Sequence, residues 1–512
     1  MQIVFLSPTS VTIEMVNKSP FFSETPFDVY LNDKLVLSNV KTNVFSLYHL
    51  ERNTEYKIKV EKETLKFRTL DYKYKIDVCE YGAIPDGVFD NTKVLQTIIL
   101  GAPKETLIYF KPGVYFTGPL FLKNDLMIEL DKDAVLLGKT DRKEYPILKA
   151  RVERNDGSIL EQSSWEGTPA DTFASIITGV EVSNVKIFGE GIIDCNAQNS
   201  DWWINHKQMR GGAWRPKGIF LSNCQHIGLQ GITVKNTPSW NLHPYFSDHL
   251  EIIDVKLISP HDSPNTDGCN PESCSHVTLI GVNFSVGDDC IAIKSGKFEM
   301  GMKYRRPTEK MVVRNCYFAH GHGAVVLGSE TSGGVKDLTV EKCYFYQTDR
   351  GLRIKTRRGR GESMQIDGIV FENIIMDEVK VPLVMNMYYF CDDDGKTEYV
   401  WSKKALAKDE RTPYLGSFTF RNIKAKNAHA AAGFFYGLPE QPIESITLEN
   451  VDITFSEDAK EFTPAMMSYL DPQVKMGLQF REVNNVVLKN VTLTGQIGEK
   501  VILENVKSFE EI

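Results

Sequence analysis

The sequence predicts an all-β fold: a right-handed parallel β-helix over residues 72–512, preceded by a small β-sandwich over residues 1–71. Three observations predict it. From about residue 126 onward one pattern recurs: a short strand, a two-residue break often holding Asn or Gly, then a second short strand. Almost no amphipathic helical stretch separates these units. The first 70 residues instead alternate apolar and polar in short runs broken by turn residues.

The N-terminal runs are VTIEM, FDVYL, KLVLS, VFSLYHL, YKIKV and LKFRT. Runs of period two and this length describe a sandwich of two small sheets. LERNTEY at 50–56 resembles the LxPxTxY corner of fibronectin type III domains, where a tyrosine hydroxyl ties a strand to its preceding turn. Arg52 stands where that pattern has proline. The module carries no cluster of candidate catalytic groups and reads as a packing spacer, with a binding role as the alternative. A new segment begins near Tyr72. Turn signals at Gly82, Asp86 and Gly87 precede a short helical stretch, for which Asp90 and Thr92 are candidate caps.

The repeating units include IGLQGITV from Ile227, LEIIDVKL from Leu250, VTLIGVNF from Val277, MVVRNCYF from Met311, LTVEKCYF from Leu338 and IVFENIIM from Ile369. Their starts are 23, 27, 34, 27 and 31 residues apart. Repeats of this period signal a solenoid. The regular L-x-x-L-x-L frame of leucine-rich repeats is absent, so a strand-only β-helix is the better fit. The series continues with units from Phe418, Ile446, Val486 and Val501. Recurring Asn and Cys before a strand suit stacked turn ladders and small buried core residues.

Composition narrows the function classes. The chain has 512 residues, net charge −8, 42% hydrophobic and 25% charged residues. That is the balance of a globular protein with enough apolar surface to offset chain entropy. No run of about 18 apolar residues occurs, so no membrane span is expected. The N-terminal stretch MQIVFLSPTSVTIEM lacks a basic n-region and a small-residue cleavage site, so a cytoplasmic location is expected, with a secreted or periplasmic one as the alternative if a leader has been trimmed from this sequence. Nine scattered cysteines without a CxxC pair suggest neither a disulfide framework nor a structural zinc site.

The unusual residues fall between strand pairs: NTDG at 265–268, GDD at 287–289, GHG at 321–323 and RIK at 353–355. Counted from each coil's first apolar residue, Asp267, Asp288, Asp289, His322, Arg353 and Lys355 share a similar phase. Stacked strands are about 4.8 Å apart. Four coils would therefore line these groups along roughly 15 Å of one face, the size of a sugar cleft. Three carboxylates so close cannot all ionise easily, which leaves a proton available near neutral pH. Glycoside hydrolysis needs one protonated carboxyl for the leaving oxygen and one carboxylate to activate water. The alternative is a solvated acidic turn or a calcium site. RGLRIKTRRGR at 350–360 holds six basic residues and no acid, which points to an acidic substrate. Nucleic acid is the rival partner, weakened by the net charge and by the adjacent carboxylates. Of these cations Arg353 and Lys355 are the candidate ligands.

In this order and spacing, NTDG, GDD, GHG and RIK resemble the four signatures of glycoside hydrolase family 28, the polygalacturonases. The resemblance extends to EYGAIPDG at 80–87, GEGIIDCNAQNSDWW at 189–203 and TPSWNLHP at 237–244, and covers roughly residues 73–510. It implies inverting hydrolysis of α-1,4-linked galacturonate with no cofactor and no metal. It also implies an oligogalacturonide or polygalacturonate partner; from the charge and the apolar pattern above neither nucleic acid nor membrane is expected, and no oligomeric partner is specified. Carried over, Asp288 is the general acid, Asp267 and Asp289 activate water, and His322 tunes the acid. Arg353 and Lys355 bind the substrate carboxylate, with Asn265 and Tyr388 as further candidate contacts; Met387 and Tyr389, in the same VMNMYYF run, are candidate subsite or core residues. Trp202, Trp203 and Trp240 are candidate sugar platforms or core residues. The acidic run 392–394 reads as a solvated turn. The insertion at 141–175 and the likeness of GSETSGGVKD to the bacterial and plant-like branch point to exo action. The alternatives are an endo enzyme, a rhamnogalacturonan or xylogalacturonan hydrolase, a pectate lyase, and a non-catalytic pectin-binding β-helix.

Overall fold

The computed structural model describes residues 1–512. Its N-terminal part holds two antiparallel sheets. One pairs Gln2–Leu6, Val11–Glu14 and Val44–Leu47; the other pairs Phe22–Leu31, Lys34–Thr42, Glu55–Val60 and Glu63–Arg68. Alternate residues face inward, so Val11, Ile13, Val29, Phe45, Ile58, Val60 and Phe67 form a separate small core. The hydroxyl of Tyr56 accepts a hydrogen bond from Glu51 N at 2.8 Å, the tie that the LERNTEY corner predicts.

Parallel pairing begins where Tyr74–Asp77 meets Thr106–Phe110 and continues to Val501–Glu511. The coils wind as a right-handed β-helix with three strand-bearing faces. On the first face the predicted unit starts lie in register: Ile227 beside Leu250, then Val277, Met311, Leu338, Ile369, Phe418, Ile446 and Val486. The Val501 unit departs from this series. Val486 pairs with Phe509, whereas Val501 pairs with Leu478 on the third face. The last coil is only 23 residues long on that register, so a first-face start falls eight residues later than the apolar pattern suggests.

Each coil turns from the first face to the second on a left-handed residue, which explains the recurrent Asn and Gly breaks. The positions include Gly231, Asp254, Gly281, Asn315, Lys342, Asn373, Asn422, Asn450 and Asn490. The last four asparagines form a ladder: Asn422 donates to Asn373 at 3.1 Å, Asn450 to Asn422 at 3.1 Å and Asn490 to Asn450 at 2.9 Å. Inside, one continuous apolar core runs from Val78 to Val491. All nine cysteines are free, and seven of them are buried. The predicted helix spans Thr92–Gly101 and buries Leu95 and Ile99. Asn91 occupies its N-cap position, while Asp90 accepts from Thr92 N at 3.0 Å.

The N-terminal sheets dock on the same corner series. Glu14 receives Arg314 Nε and Nη2 at 2.7 and 2.8 Å and Asn315 Nδ2 at 2.7 Å. Ser46 donates to Asp254 at 2.6 Å, and Phe5 and Val44 pack with Phe188, Ile253 and Ile280. This corner lies at the first-to-second turn. The chemistry lies at the approach to the third face.

Candidate active site

Four backbone hydrogen bonds stack the motif turns coil on coil. Asn241 N donates to Asp267 O at 2.7 Å, Gly268 N to Asp289 O at 3.0 Å, Cys290 N to Gly323 O at 2.8 Å and Ala324 N to Arg350 O at 2.9 Å. Asp267 and Asp289 therefore sit one coil apart, and His322 N bonds Asp288 O at 3.1 Å on the next coil. Gly268 permits this approach: a Cβ there would lie 2.4 Å from Cys290 O. Arg353 and Lys355, two apart on one strand, point to the same face as alternation requires. Their register partners are Val326 and Gly328.

Asn265, Asp267, Asp288, Asp289, His322, Arg353 and Lys355 all line one groove of about 850 Å³. A second cavity, about 550 Å³, lies on the first face beside the stacked ladder of His226, His249 and His276 and includes none of these groups.

The three aspartates differ in setting. Asp289 is buried between two cations, with Lys355 Nζ 2.8 Å from Oδ2 and Arg353 Nη1 3.2 Å from Oδ1. Burial disfavours its charge, yet Lys355 and Arg353 hold it well below the ordinary carboxylate range. Burial and the neighbouring Asp288 carboxylate push Asp267 up to about 8, although Lys294 opposes the shift. Asn270 Nδ2 donates to its Oδ2 at 2.8 Å. Asp288 is the member open to the groove. Its Oδ1 accepts from Asp289 N at 2.9 Å and lies 3.4 Å from His322 Nδ1. The bond to Asp288 raises the imidazole above its ordinary value, outweighing burial. The cluster thus combines a carboxylate locked in its ionised form with a buried carboxyl that retains a proton near neutrality. That is the pair of states an acid–base hydrolase needs.

Two further layers surround the cluster. Lys294 Nζ sits 3.1 Å from Glu330. Against its burial, Lys294 and Lys355 draw Glu330 down to about 2. At one end three indoles stack: Trp165 lies 4.9 Å from Trp214 at 2° and 5.3 Å from Trp240 at 7°.

The family model described as Glycosyl hydrolases family 28 matches residues 158–468. The chain belongs to glycosyl hydrolases family 28. This family 28 chain is similar to a probable polygalacturonase of Vitis vinifera, at 30% identity over 410 residues and 78% of each protein. An exo-poly-alpha-D-galacturonosidase of Dickeya chrysanthemi is 25% identical over 419 residues, covering 72% of this chain and 67% of that one. A Yersinia enterocolitica family 28 exopolygalacturonase structure superposes with a TM-score of 0.72 at 19% identity, over 99% of this chain and 98% of that one. At that identity the likeness speaks to the fold.

Within this glycoside hydrolase some predicted residues fall elsewhere. Tyr388 is buried, 1% exposed, with its ring against Tyr436 and Lys403, and it does not line the groove. Neighbouring extended residues point to opposite sides, so it is Tyr389 that faces the groove. Trp202 packs in the core on Tyr145 and Phe173. The 392–394 run is not simply solvated: Asp394 and Asp392 pair with Arg357, and Asp392 also pairs with Lys297 and Arg360. Those pairs, with Arg358 on Glu440, neutralise three of the six cations of the basic run.

Unforeseen groove residues include Lys294, Glu330, Trp165 and Glu166. Lys294 had a signal. Glu272 bridges to Lys294, and Ile291 pairs with Val325, which pairs with Leu352. Projecting the RIK phase back two coils therefore reaches Lys294.

Proposed function

We propose that this family 28 enzyme is an exo-acting polygalacturonase that hydrolyses α-1,4-galacturonosidic bonds with inversion and releases galacturonate or digalacturonate. The single observation that carries the chemistry is the asymmetric trio: Asp289 clamped by Lys355 and Arg353, beside Asp267, which keeps a proton to about 8. The proton retained by Asp267 passes to the groove-facing Asp288, which donates it to the leaving oxygen. Asp267, so deprotonated, and Asp289 take the proton of the attacking water. His322 holds Asp288 in place. Arg353, Lys355 and Lys294 supply the positive field for a uronate carboxylate, and Asn265 sits beside the trio with its side-chain oxygen held by Arg215 at 2.6 Å.

Exo action is supported by what the 141–175 insertion becomes. It folds into three two-stranded ladders and carries Trp165 and Glu166 into one end of the groove. The exo-acting relatives support it too. For the N-terminal part, the two antiparallel sheets and the Tyr56 tie support a fibronectin type III-like module over residues 1–71, with 72–512 as the catalytic β-helix.

The test is a product time course on polygalacturonate and on trigalacturonate. New reducing ends should appear without near-ultraviolet gain, unaffected by a chelator, with short products present from the first minutes. Ultraviolet-absorbing products would establish a lyase. Mid-length fragments would establish an endo enzyme, and binding without turnover a non-catalytic module.

A further inference from the structure

The hairpin formed by Ser164–Trp165 and Thr168–Pro169 has Glu166 and Gly167 at its tip. Both are left-handed, at φ 48° and 74°, the pattern of a tight two-residue hairpin turn. Four separate contacts fix this tip. Lys217 Nζ donates to Ser164 O at 2.8 Å, and Ser164 Oγ to the buried Glu272 at 2.8 Å. Lys297 N donates to Gly167 O at 2.8 Å. Trp165 is held between two parallel indoles. Gly167 packs so closely that a Cβ there would lie 2.6 Å from Glu330 Cβ.

The tip therefore presents Glu166 to the groove at a fixed place. The side chain is half-buried, lines the groove, and has no hydrogen-bond or ion-pair partner within the protein. Around it, Lys294 and Lys297 are already engaged by Glu330 and Asp392.

A free carboxylate is an unusual group to aim at a polyanion. A galacturonan carries one carboxylate per sugar, so a chain continuing past the tip would bring like charges together. Hydroxyls, in contrast, donate to a carboxylate in strong charge-assisted bonds. The non-reducing terminus offers a fixed vicinal pair of hydroxyls, O3 and O4, where the chain would otherwise continue. The reducing terminus offers an anomeric hydroxyl that interconverts between two positions, a poor match for a fixed acceptor. We infer that Glu166 is a specificity-determining residue that accepts hydrogen bonds from the free O3 and O4 hydroxyls of a non-reducing terminal uronate and turns away a continuing chain. This deepens the exo reading and rests on it.

The test compares saturated trigalacturonate with trigalacturonate whose non-reducing sugar is 4,5-unsaturated and so lacks the O4 hydroxyl. Wild type, Glu166→Gln and Glu166→Asn are assayed on both; asparagine is chosen because it tolerates the left-handed backbone. Wild type should favour the saturated substrate on the order of 10-fold or more in kcat/KM, the selectivity of one charge-assisted hydrogen bond. The ratio should narrow in Glu166→Gln and collapse toward unity in Glu166→Asn, with thermal midpoints near wild type. A ratio unmoved in Glu166→Asn, equal losses on both substrates, or sensitivity to reduction of the other chain end would overturn the assignment. Short products from wild type with an unmoved ratio would overturn this inference alone. Mid-length products from wild type would overturn the exo reading and this inference with it.

Discussion

Replacing Lys355 with methionine removes an ammonium 2.8 Å from Asp289 Oδ2 while keeping most of the stem. Asp289 is buried and Lys355 nearly so, at 3% and 12% exposure, so solvent screens the pair weakly. Removing one partner of such a pair costs about 3–5 kcal/mol, because the other charge stays buried. Arg353 Nη1 still lies 3.2 Å from Oδ1, so the loss should fall near the low end, about 3 kcal/mol. The pH dependence has a definite sign. Asp289 is depressed on folding, so its stabilisation is present above its ordinary value of 3.8 and lost as pH falls through the folded value. Lys355 is raised on folding, so its share is complete below 10.5 and lost only at more alkaline pH. The gap between wild type and Lys355→Met should therefore be complete between about pH 5 and pH 9 and narrow below about pH 4. Urea unfolding followed by tryptophan fluorescence at pH 7 and at pH 3.5 measures it. A gap under about 1 kcal/mol at neutral pH, or one that does not change with pH, would refute the buried-clamp reasoning.

Two other outcomes follow from the same geometry. kcat/KM should fall on the alkaline side through about 8, as the proton retained by Asp267 leaves the cluster; an alkaline limb below pH 6, or none up to pH 9.5, would contradict this. Asn450 sits at φ 54° as an inner rung of the asparagine ladder, so Asn450→Ala should cost about 1–2 kcal/mol and Asn450→Gly less; equal losses in denaturation midpoints would show that the backbone conformation is not what matters.

Much of this arrangement is legible in the sequence because a solenoid converts spacing into position. Once Leu250, Val277, Met311 and Leu338 are recognised as equivalent, the phase of Asp267, Asp289, His322 and Arg353 follows, and the registers agree with it. The insertion escapes this logic. Trp165 and Glu166 belong to no repeat, and only tertiary anchors such as Lys217 and Lys297 place them at the groove. The basic run misleads for a related reason. Its partners Asp392 and Glu440 lie 35 and 82 residues downstream, so local sequence shows the cations without the acids that neutralise them. Tyr388 and Tyr389 differ by one residue of strand phase, which flips a side chain from groove to core, and nothing in VMNMYYF fixes that phase.

The mechanism turns on Asp288 as proton donor within the carboxylate trio. Single-turnover cleavage of trigalacturonate by Asp288→Asn, read beside its binding constant, isolates that role. The rate should fall by about two to four orders of magnitude with binding and fold retained. Near-normal turnover by that variant would exclude Asp288 as the donor.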